Sequence, residues 1–346
     1  MELIFSNFSP AKITNKSLQD TWLKLFKSAD EVLIATGYIS NDSIEDLHSI
    51  LQQNPDFIKN IQILVGMHYL EGFTKLQYDS LIKLHNFLIT NNRGAVYISE
   101  FMKFHGKLYS FKTNEKVDSL IGSANFSCFM NNLERTYETM LHIEEQIVAN
   151  AVYNDIKKTI QALGTLISDA PTPSKFILHN LHLDEHLGVD KVPLERVKSL
   201  FKKSSKYNFK IPVKPTDKSN VNAYLGKGRK DQRGFVIPRS WYEVELIVSN
   251  TTTSQPGYPV KRSFSVITDD GWQFKCKTSG DFSKNFRSED DLKVLGKWIK
   301  GRLEINGCLK TGQKITTDVL LEYGNNIIDL RSTDDPNLWL LSFKGK

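Results

Sequence analysis

Short apolar runs alternate with longer segments of helical periodicity through the first half of the chain, and this order limits the folds open to it more than any other feature. DEVLIATGYI (30–39), IQILVGMHY (61–69) and GAVYIS (94–99) read as buried strands rich in β-branched and aromatic residues. Between them, NDSIEDLHSILQQN (41–54) sets Ile44, Leu47, Ile50 and Leu51 at helical spacing. TKLQYDSLIKLHNFLIT (74–90) repeats the pattern with Leu76, Leu81, Leu84, Phe87 and Leu88. Strands alternating with helices imply an α/β layered domain. KLYSFK (107–112), DSLIGS (118–123) and ETMLHI (138–143) add strands. A long amphipathic helix follows over 144–167, closed by the proline-rich SDAPTPS (168–174), a natural boundary.

Beyond it, 174–216 reads as a linker with some helix, PLERVKSLFKK (193–203) being the clearest part. From 217 the character changes. WYEVELIVS, RSFSVIT, WQFKCKTSG, GRLEING, ITTDVLLEYG, NIIDLRS and LWLLSFKG read as short strands of a barrel or sandwich, interrupted by the helical pattern SEDDLKVLGKWIKGRL (288–303). The expected organisation is therefore 1–173, a linker at 174–216, and 217–346. Charge divides the same way: residues 1–190 hold 16 Lys and Arg against 22 Asp and Glu, whereas 191–346 hold 29 against 17. A basic second half attached to an acidic first half suits a polyanionic partner, with nucleic acid the commonest. No basic leader and no apolar stretch of about 18 residues is found, so a soluble, cytoplasmic protein without membrane contact is expected. Cys128, Cys276 and Cys308 are far apart and read as small buried hydrophobes rather than a disulfide or zinc set.

FHGKLYSF (104–111) places His105 two residues before Lys107. Alternate residues of a strand project from one face, so both side chains are expected to converge on one ligand. LIGSANFS (120–127) then leaves the next strand through a turn that offers Ser123, Asn125 and Ser127. Glu138 stands at the entry to the following strand. An imidazole, a fixed cation, an amide donor and a carboxylate are the parts needed to handle a phosphodiester without a metal ion. His179, His182 and His186 carry no motif of known metal geometry and are read as linker or interface residues.

His-x-Lys followed by Gly-Ser-x-Asn and a later acid resembles the HKD motif of the phospholipase D superfamily. Two departures stand out: Lys112 occupies the position of the motif aspartate, leaving Asp118 as the nearest acid, and the chain has one His-x-Lys where double-motif members have two. The resemblance implies catalytic roles for His105, Lys107, Asn125, Ser123 and Glu138, with Glu134 the alternative acid. It also implies a phosphohistidine intermediate, no divalent metal or other cofactor, and a homodimer that brings two copies of the motif to one phosphate.

The basic half clusters its charges in two arms. One, 226–244, carries Lys227, Arg229, Lys230, Gln232, Arg233 and Arg239; the other, 272–288, carries Lys275, Lys277, Lys284, Asn285 and Arg287, with Ser283 beside them. These side chains suit base edges and phosphates, whereas Trp241 and Trp298 are expected in the core. This half resembles the B3-like DNA-binding domain that NgoFVII-type restriction endonucleases join to a phospholipase D-type nuclease. The expected fold is thus an α/β phospholipase D-like domain, a mixed sheet flanked by helices, plus a mainly β, B3-like pseudobarrel. The implied activity is site-specific cleavage of double-stranded DNA. A methyltransferase and a separate helicase-like ATPase are the expected partners, the chain having no P-loop. The rival readings are a phospholipid-processing enzyme and an inactive DNA-binding regulator.

Overall fold

Val32 and Ile34 enter one apolar layer while Leu33 and Ala35 enter another, so the run around residue 33 is apolar throughout because both faces of its sheet are covered. The computed structural model describes residues 1–8, 11–127, 136–176, 183, 186–216 and 220–345. The chain divides into two units, Met1–His179 with Gly228–Pro238, and Asn180–Lys227 with Arg239–Lys346.

The first unit contains β1 (Glu2–Phe5), α1 (Leu18–Ser28), β2 (Glu31–Thr36), α2 (Asn41–Gln53), β3 (Asn60–Val65), α3 (His68–Glu71), α4 (Lys75–Thr90), β4 (Gly94–Ser99), β5 (Lys107–Lys112), β6 (Val117–Gly122), β7 (Thr139–Ile143), α5 (Gln146–Leu163) and β8 (Gly164–Leu166). Its sheet runs β1-β7-β6-β5-β2-β3-β4-β8, parallel through β2, β3 and β4 and antiparallel elsewhere. Helices α1, α2 and α4 cover one face and α5 the other. Local signals start the helices where the sequence offers them: Ser17 and Ser40 cap α1 and α2, and Thr74 with Gln77 forms a reciprocal capping box on α4. Arg93 is buried and donates to the carbonyls of Leu51, Asn54, Phe57 and Ile58, closing the end of α2 and the loop after it.

In chain order the second unit begins with β9 (Asp190–Lys191), α6 (Leu194–Lys202) and β10 (Asn208–Pro212). A hairpin of β11 (Arg229–Lys230) and β12 (Val236–Ile237) then belongs to the first unit. There Phe235 is buried with its ring edge-on to Phe57, and Asp231 pairs with Lys27 at 3.0 Å. The Asn54 amide copies a strand partner, donating to Val236 O (2.7 Å) and accepting from Val236 N (2.6 Å). The second unit resumes with β13 (Leu246–Ile247), α7 (Asn250–Thr253), β14 (Ser263–Thr268), β15 (Trp272–Ser279), β16 (Asn285–Ser288), α8 (Lys293–Ile305), α9 (Thr317–Tyr323), β17 (Ile327–Ser332) and β18 (Leu338–Ser342). Its sheet, β10-β17-β18-β14-β15-β16-β13, is nearly closed and barrel-like, and β9 adds to β15. Trp241, Tyr242 and Trp298 lie in its core, as expected for the two tryptophans. Cys276 is buried there and burial pushes its thiol up; Cys308 is half-buried, and Cys128 lies outside the described residues.

Two expected strands are helical. GRLEING forms the last turns of α8 and the residues after it, and ITTDVLLEYG contains α9. Thr316 accepts from Val319 N, and Gly324, at φ +85°, ends α9 by donating to Leu320 O and Leu321 O. A cap residue before the run and a glycine after it decide the matter, where a short apolar run alone does not. The stretch 190–212, within the expected linker, supplies β9 and β10 to the second sheet.

Candidate active site and DNA-contacting face

Thr36, at the end of β2, is paired with Lys107, the first residue of β5. That register brings the exit of a parallel strand beside the His-x-Lys segment, where ligand sites of α/β sheets collect. His105 lies in the loop before β5 rather than on it, and its ring is exposed. Lys107 is buried and its Nζ donates to the His105 carbonyl oxygen at 2.8 Å. Burial pulls the Lys107 ammonium below its usual pKa, and the nearby Glu138 carboxylate opposes this in part. The expectation of two side chains along one strand face is thus replaced by a lysine folded back against the histidine's own backbone.

The turn after β6 is fastened from several sides. Gly122 leaves no room for a side chain, since a Cβ there falls 2.2 Å from Thr139 O. Tyr109 donates to Ala124 O (2.8 Å), Phe126 N donates to Thr36 Oγ1 (3.1 Å), and Asn125 Oδ1 accepts from Tyr38 N (3.1 Å). Among the described residues the Asn125 Nδ2 group donates no hydrogen bond. Its Oδ1 and the His105 ring both border Gly37, whose added Cβ would lie 3.5 Å from the first and 3.1 Å from Cδ2 of the second. His105 and Asn125 are thereby gathered at one place.

Ser123 and Glu138 meet directly: the Ser123 hydroxyl donates to Glu138 Oε2, and Thr139 N donates to Ser123 Oγ at 3.0 Å. Glu138 is buried, with its backbone fixed by Ser6. Its carboxylate is held by Ser123, and among the described residues no hydrogen bond joins it to the His105 ring. Glu134 lies outside the described residues. Lys112, at the motif-aspartate position, places its ammonium over the Tyr153 ring. Asp118 sits at the other end of β6. Burial works to raise its pKa, yet hydrogen bonds from His142 (3.0 Å) and Lys116 (2.9 Å) hold it below the usual range. Asp118, His142 and Glu144 form a cluster of possible metal ligands, but Asp118 is already bonded to His142 and Lys116.

Tyr38 is a neighbour that sequence reading missed. Its ring meets that of His105 edge-on at 5.7 Å and that of His68 at 5.2 Å, while its hydroxyl donates to Glu71, which also pairs with Lys103 at 2.9 Å. His68 is buried, stacks on Phe73 and bonds the Ile39 and Gly72 backbone; burial lowers its pKa. Only the β2–β5 register, invisible in a single sequence, reveals this grouping.

The two basic arms have different fates. Arg229, Lys230, Gln232 and Arg233 are exposed on the hairpin of the first unit, beside the end of α2 and therefore at the opposite end of the sheet strands from His105. Lys227 is exposed in the second unit, and Arg239 pairs with Glu243 at 2.5 Å. In the second arm, cross-strand register sets Lys277 opposite Arg287 and Ser279 opposite Asn285, so these residues and Lys275 share one face of the β15–β16 pair. Lys284 lies in the connecting loop, and Arg287 is 3.7 Å from Glu245. His186, buried, bonds Asp291 at 3.2 Å and the Leu187 carbonyl at 2.9 Å, a packing role; His179 and His182 lie outside the described residues. Among the described residues no helix is long and apolar enough to cross a membrane.

These two units define a phospholipase D-type nuclease domain joined to a B3-like DNA-binding domain. Residues 16–166 match the family model of the NgoFVII restriction endonuclease N-terminal PLD domain, and residues 199–334 match that of the NgoFVII C-terminal B3-like DNA-binding domain. The chain belongs to this family of restriction endonucleases. No curated protein matches it. Among solved structures, polyphosphate kinase from Porphyromonas gingivalis is similar at 14% identity and a TM-score of 0.31, over 67% of this chain and 34% of the kinase. The chain thus spans about a third of that enzyme.

Proposed function

We propose that the chain is a type II-like, site-specific endonuclease that hydrolyses duplex DNA without a metal ion, at an active site shared by two copies. The observation that carries this reading is an exposed histidine, His105, whose imidazole is gathered with Asn125 and whose backbone carbonyl accepts from the buried Lys107. One ring cannot both attack phosphorus and protonate the leaving oxygen. His105 of one copy attacks, forming a P–N bond as the P–O bond breaks, and the partner's His105 gives its proton to the departing oxygen. The partner's ring then takes a proton from water, whose oxygen displaces the histidine from phosphorus and restores both rings. Lys107 and the free amide of Asn125 stabilise the non-bridging oxygens as charge builds on them. Glu138, fixed by Ser123, keeps Lys107 charged and sets the polarity of the site.

Lys275, Lys277, Lys284, Asn285 and Arg287 contact the duplex in this reading, with Lys227 and Arg239 flanking them; Arg229, Lys230, Gln232 and Arg233 hold backbone against the nuclease unit. A methyltransferase that protects host sites and a separate helicase-like ATPase are its natural cytoplasmic partners. The test is incubation of the purified chain with duplex DNA in excess EDTA. Cutting that persists in chelator and is lost in His105→Ala, with binding retained, supports the reading; strict Mg²⁺ dependence overturns it.

A further inference from the structure

Six residues other than glycine have positive φ among the described residues, and three of them meet at one place: Lys261 (+46°), Phe282 (+55°) and Ser283 (+55°). The left-handed region is costly for a bulky side chain and persists only where the surroundings enforce it. Phe282 gains nothing from the core in return, since it is 73% exposed on the loop between β15 and β16. Val260, next to Lys261, is 56% exposed.

The surroundings do enforce the conformation. Ser283 is fully buried and its Oγ accepts from Lys261 N at 3.0 Å, tying the loop to the segment 259–262. The Thr278 hydroxyl donates to Pro259 O and accepts from Arg262 N at 3.4 Å, while Thr278 N donates to Arg262 O at 3.1 Å. Ser283 N and Lys284 N close the tip onto Gly280 O and Asp281 O, and Val248 N anchors Lys284 O at 2.8 Å. A rigid tip thus presents an aromatic ring to solvent. It stands at the end of the face that carries Lys275, Lys277 and Arg287, with Lys261 beside it; Lys261, Lys275 and Lys277 have no ion-pair partner among the described residues.

We infer that Phe282, supported by Val260, is a wedge that enters the stack of duplex DNA, so that the second unit reads its target partly through how readily one base step opens. The flanking cations hold the phosphates on either side, and an apolar ring set rigidly between them has the form by which proteins unstack and kink a duplex. Strain kept in a loop whose ring is 73% exposed is accounted for by this use. The inference rests on the B3-like unit's binding of duplex DNA, and its specificity component rests on the proposed site-specific reading.

The test uses the full chain carrying His105→Ala, so that DNA survives, and a pool of duplexes with randomised centres from which this protein enriches its preferred sequence. The enriched duplex is then labelled with 2-aminopurine at successive positions, and Phe282→Gly is compared. Glycine removes the ring and also relieves the backbone, so the melting temperature is expected to equal or exceed that of the parent. Binding of the enriched duplex should weaken about tenfold, with a fluorescence rise at one step that the glycine variant abolishes. Equal binding and equal fluorescence in both proteins overturn the inference, as does a fall in melting temperature that accompanies the binding loss. Unchanged DNA binding with an altered oligomeric state assigns the tip to a second protein chain instead. Enrichment of no sequence by the parent counts against sequence-specific reading itself, and the wedge as a reading device falls with it.

Discussion

Replacing Lys300 by methionine should make the second unit more stable at neutral and mildly acid pH and remove most of its pH dependence above neutrality. Lys300 is fully buried on α8, its ammonium over the Trp241 ring at 3.9 Å and donating to the Trp241 carbonyl. Glu304 and Glu243 attract it, but the Glu304 carboxylate is already bonded to Trp241 Nε1 (3.1 Å), Tyr242 (2.9 Å) and Thr311 (2.9 Å). Burial therefore wins and pulls the Lys300 pKa from 10.5 down to about 7. The unfolded chain keeps this proton up to about pH 10.5, whereas the native chain loses it near pH 7. Between those values the unfolded state binds more protons, so stability rises with pH by about 1.4 kcal/mol per unit. Over the whole window this approaches ~5 kcal/mol, all of it withheld below pH 7. Methionine gives up the bond to the Trp241 carbonyl, about 1–2 kcal/mol, so the net gain at pH 6 is about 3 kcal/mol. Urea unfolding from pH 6 to 9.5, followed by tryptophan fluorescence, measures both quantities. A slope that is the same in parent and variant, or a variant less stable at pH 6, refutes the reasoning.

Three other outcomes are expected. Because burial lowers the pKa of Lys107 and the proposed mechanism uses its charge, cleavage should fall on the alkaline side before the usual lysine range; Lys107→Arg should move that limb upward while reducing the rate, as pH–rate profiles will report. Tyr38→Ala should slow single-turnover cleavage about tenfold or more by freeing the His105 ring, whereas Tyr38→Phe, which keeps the edge contact and loses only the bond to Glu71, should cost less. Arg93→Met should destabilise the first unit by about 3 kcal/mol in denaturant titration, since several buried carbonyls lose their donor together.

Much of the first unit is legible in the sequence because its strands and helices differ in period. The runs at 30–39, 61–69 and 94–99 become β2, β3 and β4, and the segments between supply α2 and α4. The second unit is harder. In ITTDVLLEYG the capping Thr316 and the terminal Gly324 outweigh a strand-like composition, and α8 buries Lys293, Lys297 and Lys300, which its helical pattern does not disclose. The motif names His105, Lys107 and Asn125, but not their arrangement. That Glu138 is engaged by Ser123 and that Tyr38 flanks the imidazole follow from register between strands distant in the chain, and that Lys107 turns back on the His105 carbonyl is a local contact the motif does not disclose. The hairpin at 228–238 shows the same limit: its charges advertise a basic arm, whereas Phe235 and the Asn54–Val236 pairing fix its place in the nuclease unit.

The most direct test of a shared active site is a mixing series in which wild-type and His105→Ala chains are co-refolded at varying ratios and assayed for DNA cleavage in EDTA. If each phosphate needs two imidazoles, one from each copy, activity follows the square of the wild-type fraction, and an equal mixture retains about a quarter of full activity. Activity that follows the fraction itself, about half at equal mixture, contradicts the account.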